Sequence, residues 1–124
     1  MRMLVLGAGL QGSACAFDLL NSSSASIDRV ELADVKVGPL PAFLAPHVGS
    51  RLVQRTLDVR DPAAVRAAFA ECDAVMSAIP YYFNYPLAQI AVDAGVHFCD
   101  LGGNTEIVRQ QQTLDAAAKA KGVS

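Results

Sequence analysis

The chain has 124 residues, 52% of them hydrophobic and 18% charged, with 10 basic against 12 acidic side chains. That length gives one domain, able to bury roughly two thirds of the surface its unfolded chain exposes, with no need of a stabilising metal or disulfide. A net charge of −2 excludes an electrostatically driven nucleic-acid binder, and a mean hydropathy of +0.31 excludes a disordered chain.

Short apolar runs alternate with longer helical patterns along the chain. Met3-Leu4-Val5-Leu6 is a continuous apolar run, the pattern of a strand buried on both faces. The helix behind the following glycines has Ala16, Phe17 and Leu20 on one face and is expected to stop in the turn formers Asn21-Ser22-Ser23-Ser24. Residues 27–33 read as a second strand that ends at Asp34. Pro39, Pro41 and Pro46 interrupt any helix between Lys36 and Ser50.

A third strand covers 52–57. Asp61-Pro62 then opens a helix with a carboxylate at the N-cap and proline at the first helical position, its inward stripe being Val65, Ala68 and Phe69. A fourth strand runs over 73–79. Pro86 starts a helix with Leu87, Ile90, Ala91 and Ala94 inward and Gly95 as a left-handed cap. Residues 96–99 make a fifth strand. After Gly102-Gly103, Asn104 caps a last helix with Ile107, Leu114, Ala117 and Ala118 inward. This alternation predicts an α/β fold with about five parallel strands, doubly wound in the order 3-2-1-4-5, and a sixth strand expected to begin where the chain stops at Val123-Ser124.

Cys15, Cys72 and Cys99 are odd in number and form no C-x-x-C pair, so neither a disulfide framework nor a metal site is expected. Reduced thiols fit a cytoplasmic protein. The start imitates a signal peptide, but Gly7, Gly9, Gln11 and Gly12 break its apolar part. No run approaches the ~20 apolar residues that span a bilayer. Neither a membrane nor a nucleic acid is an expected partner.

Gly7-Ala8-Gly9-Leu10-Gln11-Gly12 has the G-x-G-x-x-G spacing, and an acid, Asp34, lies 22 residues beyond Gly12 at the end of the next strand. A strand before, a helix after and that acid are the context a dinucleotide-binding Rossmann turn requires. Gly7 allows the tight turn, Gly9 lets backbone approach a pyrophosphate, and Gly12 brings helix and strand together. The free N–H groups of the helix start favour an anion. Asp34 can accept hydrogen bonds from a ribose, and its charge disfavours a 2′-phosphate, which predicts NAD over NADP; Lys36 offsets part of that repulsion. The chain is short for a flavoprotein, and no Tyr-x-x-x-Lys pair of a short-chain reductase occurs.

Ligands of such sheets sit outside the carboxyl ends of the strands. Candidates there are Val35 after strand two, Asp58 and Val59 edging the adenine, and Ala78-Ile79-Pro80 beside the nicotinamide ribose. The loop Tyr81-Tyr82-Phe83-Asn84-Tyr85 either contacts a ligand or packs on other protein. Asp100 either touches a ligand or orients its own loop. His97 reads as a packed strand residue, and no catalytic constellation can be assembled from it or His47.

Residues 5–12 with Leu32-Ala33-Asp34-Val35 resemble the opening of the saccharopine dehydrogenase family, nearest in appearance to its L-lysine 6-dehydrogenase branch. Ala78-Ile79-Pro80-Tyr81-Tyr82-Phe83-Asn84, Ala94-Gly95-Val96-His97 and Asp100-Leu101-Gly102-Gly103-Asn104 extend the resemblance over nearly the whole chain. It implies a parent enzyme that oxidises an amino-acid C–N bond by hydride transfer to a nicotinamide dinucleotide, followed by imine hydrolysis. It also implies that residues 1–124 are the cofactor domain, inactive alone, and that a further domain holds the amino-acid substrate and most catalytic groups. The positions it carries over are Gly7, Gly9, Leu10, Gln11, Gly12, Asp34, Ala78, Ile79 and Pro80. The proline-rich 36–50 stretch departs from the helix usual in the family. The competing reading is a stand-alone NAD(H)-sensing regulatory module. A third reading is that the sheet pairs with a second copy through its open edge, a homodimer that would reflect where the chain stops.

Overall fold

The five apolar runs become the strands of one parallel sheet in the order β3-β2-β1-β4-β5, as the alternation predicts. The computed structural model describes residues 1–22 and 26–124. The strands are β1 (Arg2–Leu6), β2 (Arg29–Asp34), β3 (Leu52–Thr56), β4 (Ala74–Ser77) and β5 (His97–Asp100). Between and after them lie α1 (Leu10–Asn21), α2 (Pro62–Phe69), α3 (Asn84–Ala94), α4 (Thr105–Gln112) and α5 (Asp115–Lys121), with 3₁₀ turns at Ala42–His47 and Tyr81–Phe83. Among the described residues no helix is long and apolar enough to cross a membrane.

The unbroken apolar run of β1 has its cause in its place at the centre of the sheet. Met3 and Val5 pack with Ala16 and Leu20 of α1, while Leu4 and Leu6 point to the other face against Val65, Phe69, Leu87 and Ala91 of α2 and α3. Period-two alternation thus delivers hydrophobic side chains to two cores at once, so no polar position is left. The edge strands β3 and β5 are only half-buried and admit Gln54, Arg55 and His97.

Helix starts follow local chemistry. The Asp61 carboxylate accepts from the N–H groups of Ala63 and Ala64 at 3.0 and 3.2 Å, and Pro62 occupies the first turn. Asn104 caps α4 in the same way through Glu106 and Ile107. Gly95 ends α3 with φ of +71°.

Other expectations need correction. The second and fifth strands begin later, at Arg29 and His97, and β4 ends at Ser77 rather than Ile79, because the chain is already turning toward Pro80. The stretch from Lys36 to Ser50 holds a 3₁₀ helix that contains Pro46 and drops Leu44 fully into the α1-side core. Phe17 is 40% exposed and meets Phe43 of that segment edge-on at 5.4 Å. Ala94, Ala117 and His97 are exposed as well, although the His97 Nδ1 accepts from Ser124 N–H at 3.2 Å. The last helix is two, broken at Thr113-Leu114, and Ile107, Leu114 and Ala118 are only half-buried. The Ser23-Ser24 part of the expected stop after α1 lies outside the described residues.

Candidate functional site

β1 has β2 on one side and β4 on the other, so the chain reverses its direction of winding there, and the loops leaving β1 and β4 part. The glycine turn fills that gap. Gly7 N–H donates to the Ala33 carbonyl at 2.7 Å, and Ala78 N–H to the Leu6 carbonyl at 2.8 Å, which ties the three strand ends together. Gly7 has φ of +96°, and a Cβ there would lie 2.8 Å from the Ala78 oxygen. At Gly12 a Cβ would lie 1.7 Å from the Gly7 oxygen, so any other residue would force the turn open. Gly12 therefore lets α1 close on the turn itself as well as on the strand.

Gly9 differs. It is the N-cap of α1, with no side-chain cap, and a Cβ would meet nothing within 4 Å. No packing demands glycine here; the turn's bare backbone and the uncapped N–H groups of the helix start face open space. The cradle a Cβ would obstruct is the feature a pyrophosphate needs.

The acid is held to the turn: Asp34 Oδ2 accepts from Ala8 N–H at 2.8 Å, and its other oxygen has no protein partner among the described residues. Beyond it, Asp58 and Arg60 form a forked pair. Asp58 Oδ1 accepts from Arg60 Nε at 2.9 Å and from its backbone N–H at 3.0 Å, while Oδ2 accepts from Nη2 at 2.7 Å. The guanidinium holds the Asp58 carboxyl at a pKa of about 2.

These groups line one cleft of about 500 Å³, a size suited to a small-molecule site. Of the twelve residues expected to contact a cofactor, it gathers nine: Gly7, Gly9, Asp34, Val35, Asp58, Val59, Ala78, Ile79 and Pro80. Leu10 and Gln11 stand exposed on the first turn of α1 and do not line it. Gly12 is buried and acts on the shape of the turn. Lys36 lines an adjoining hollow of about 250 Å³ with Asp34 and Gln54. A hollow of about 550 Å³ among α3, β5, α4 and α5 is lined by none of the glycine-turn residues.

Residues 3–124 match the model of the saccharopine dehydrogenase NADP binding domain. The chain belongs to that family. Among solved structures it is similar to apo saccharopine dehydrogenase (L-Glu forming) from Saccharomyces cerevisiae, at 23% identity and a TM-score of 0.73 over 99% of this chain and 26% of that one. It is also similar to myo-inositol 2-dehydrogenase from Lactobacillus plantarum (17% identity, TM-score 0.67), covering 94% of this chain and 33% of that one. A third is dTDP-glucose 4,6-dehydratase from Streptomyces venezuelae with NAD bound (24% identity, TM-score 0.64), covering 97% of this chain and 51% of that one. At these identities the likeness is one of fold. The chain spans about a quarter of the length of the yeast protein it matches.

As a member of the saccharopine dehydrogenase NADP binding domain family, the chain is a nicotinamide-dinucleotide-binding domain. Sequence reasoning missed Arg60, which lines the cleft, and left Phe83 open as one of an aromatic loop that either contacts a ligand or packs on other protein; it lines the cleft as well. Arg60 carried no motif of its own, and its signal is its position two residues after an acid at a strand end. The aromatic loop divides its labour. Tyr81 and Tyr82 are exposed, Phe83 turns to the cleft, and buried Asn84 accepts from the buried Ser77 hydroxyl at 2.8 Å. Asp100 orients its own loop, accepting from Gly102 N–H and from Gln111 Nε2, each at 2.6 Å.

Proposed function

We propose that this domain binds NAD in preference to NADP, in the cofactor-binding part of an enzyme that oxidises an amino-acid C–N bond. The observation that carries the cofactor reading is Asp34, fixed by Ala8 N–H at the rim of the cleft with one oxygen left for a ribose. An ionised carboxylate there accepts from ribose hydroxyls and repels a 2′-phosphate. Gly7, Gly9 and Gly12 shape the pyrophosphate end, with Leu10 and Gln11 supplying backbone N–H groups. Val35, Asp58 and Val59 flank the adenine end, and Ala78, Ile79 and Pro80 the nicotinamide end.

Family membership supports the amino-acid substrate. Hydride would pass from the carbon that bears the nitrogen to the nicotinamide, a proton would leave the nitrogen, and water would hydrolyse the imine. A further domain beyond residues 1–124 would hold that substrate. The odd number of cysteines and the lack of a C-x-x-C pair support a reducing, cytoplasmic setting.

Fluorescence titration with NADH and NADPH tests the cofactor. NADH is expected to bind more tightly, and Asp34→Ala to weaken it by about tenfold or more, the worth of a hydrogen bond to a charged group. Equal binding of both nucleotides, unchanged in Asp34→Ala, would remove the NAD assignment. Assays of the full-length protein with lysine and with saccharopine test the C–N chemistry. Turnover of neither rejects these two substrates.

A further inference from the structure

Arg60 is the only positively charged side chain that lines the cleft among the described residues, and its partner Asp58 has no other. We propose that Arg60 lays the face of its guanidinium against the adenine ring, with Asp58 as the positioning residue that fixes its plane. This inference rests on the reading of the cleft as a dinucleotide site.

The sheet order determines which end of the ligand lies here. Asp34 ends β2, and β3, which delivers Asp58 and Arg60, is the next strand outward. With the ribose at Asp34 and the pyrophosphate at the glycine turn, the base is the part left to reach the end of β3.

The fork determines what Arg60 can offer. Hydrogen bonds to a guanidinium lie in its plane, and Asp58 takes Nε and Nη2 from one edge of it. Both faces of the plane stay free, and the side chain is 72% exposed. The backbone bond from Arg60 N–H to the same carboxylate makes the carboxylate itself rigid. Asp58 remains ionised throughout the physiological range, so the fork does not open with pH. Leu57 and Val59 add apolar wall on the same strand end. The pair is neutral as a unit, which suits stacking on an uncharged base better than capture of a phosphate.

The discriminating experiment compares wild type, Arg60→Ala, Arg60→Lys and Asp58→Asn in titrations with NADH, NADPH, 5′-AMP and reduced nicotinamide mononucleotide. Melting curves of each variant establish that it is folded. Arg60→Ala is expected to weaken NADH, NADPH and 5′-AMP by one common factor of about tenfold, the scale of a partly desolvated cation–π contact, and to leave the mononucleotide unchanged. Arg60→Lys should recover little of this, because an ammonium has no plane to stack. Asp58→Asn should cost about threefold on the same three ligands. In wild type, adenine H2 and H8 should show nuclear Overhauser contacts to the Arg60 side chain. Loss confined to NADPH would overturn the proposal in favour of a phosphate clamp, and unchanged 5′-AMP binding by Arg60→Ala would overturn it outright. If wild type binds no adenine nucleotide, the dinucleotide reading fails and this inference with it. If wild type binds NADH and Arg60→Ala binds it equally, the inference fails alone.

Discussion

Glycines of one motif do unlike work, and substitution separates them. A Cβ at Gly12 would sit 1.7 Å from a backbone oxygen that cannot swing aside like a side-chain tip. Gly12→Ala is therefore expected to lose about 3 kcal/mol or more, the upper part of the range for overpacking, measured by urea unfolding. Gly9 has φ of −70°, open to any residue, and free space around its missing Cβ. Gly9→Ala should cost about 1 kcal/mol or less, the scale of a poorer N-cap, yet weaken NADH by about tenfold or more, because its methyl enters the space claimed for the pyrophosphate. A Gly9→Ala protein that binds like wild type would place the pyrophosphate elsewhere.

At the scale of elements, side-chain caps set where α2 and α4 begin, whereas α3 begins at Asn84, two residues before the expected start at Pro86, and tertiary packing sets which faces the helices bury. The Asp61 cap satisfies two N–H groups of α2 that have no intrahelical partner. Asp61→Ala should cost about 1 kcal/mol in chemical denaturation, and Asp61→Asn much less, since an amide oxygen caps nearly as well. A loss of equal size in both variants would show that charge, rather than the cap geometry, matters. α2 buries every residue of its expected stripe because α3 and the sheet enclose it, whereas α4 and α5 lie at the β5 side and bury none of theirs completely.

For the whole molecule, two carboxylates link stability to pH from opposite ends of the sheet. Arg60 depresses Asp58 at the carboxyl end, and Arg2 depresses Asp73 at the other, through its side chain at 3.0 Å and its backbone N–H at 2.7 Å. A carboxyl whose folded pKa lies below its unfolded value stabilises fully above the unfolded value, about 3.8 here, and loses that contribution as pH falls through the folded one. Both groups are exposed, so the effect is modest. The melting temperature should show no loss from these groups between about pH 5 and 8 and decline below about pH 4. Asp73→Asn should lower the neutral plateau and make the acid decline shallower. An equally steep decline in that variant would assign the acid sensitivity to other groups.

The sequence by itself determined the strand count and order, the two helix caps, the glycine turn and the acid that answers it. Those are written in runs, periods and short spacings that depend on chain neighbours alone. Only the tertiary structure decided that Leu44 seals a core from a proline-rich stretch, that Phe17, Ala94 and His97 stay exposed, and that Leu10 and Gln11 stand outside the cleft while Arg60 and Phe83 line it. The physical reason is common to all of these. A period shows that a residue has a face, but burial requires a second surface, supplied by elements far away in the chain. The cleft is assembled in the same way, from the ends of β1, β2, β3 and β4, so its membership follows from sheet order rather than from any one segment.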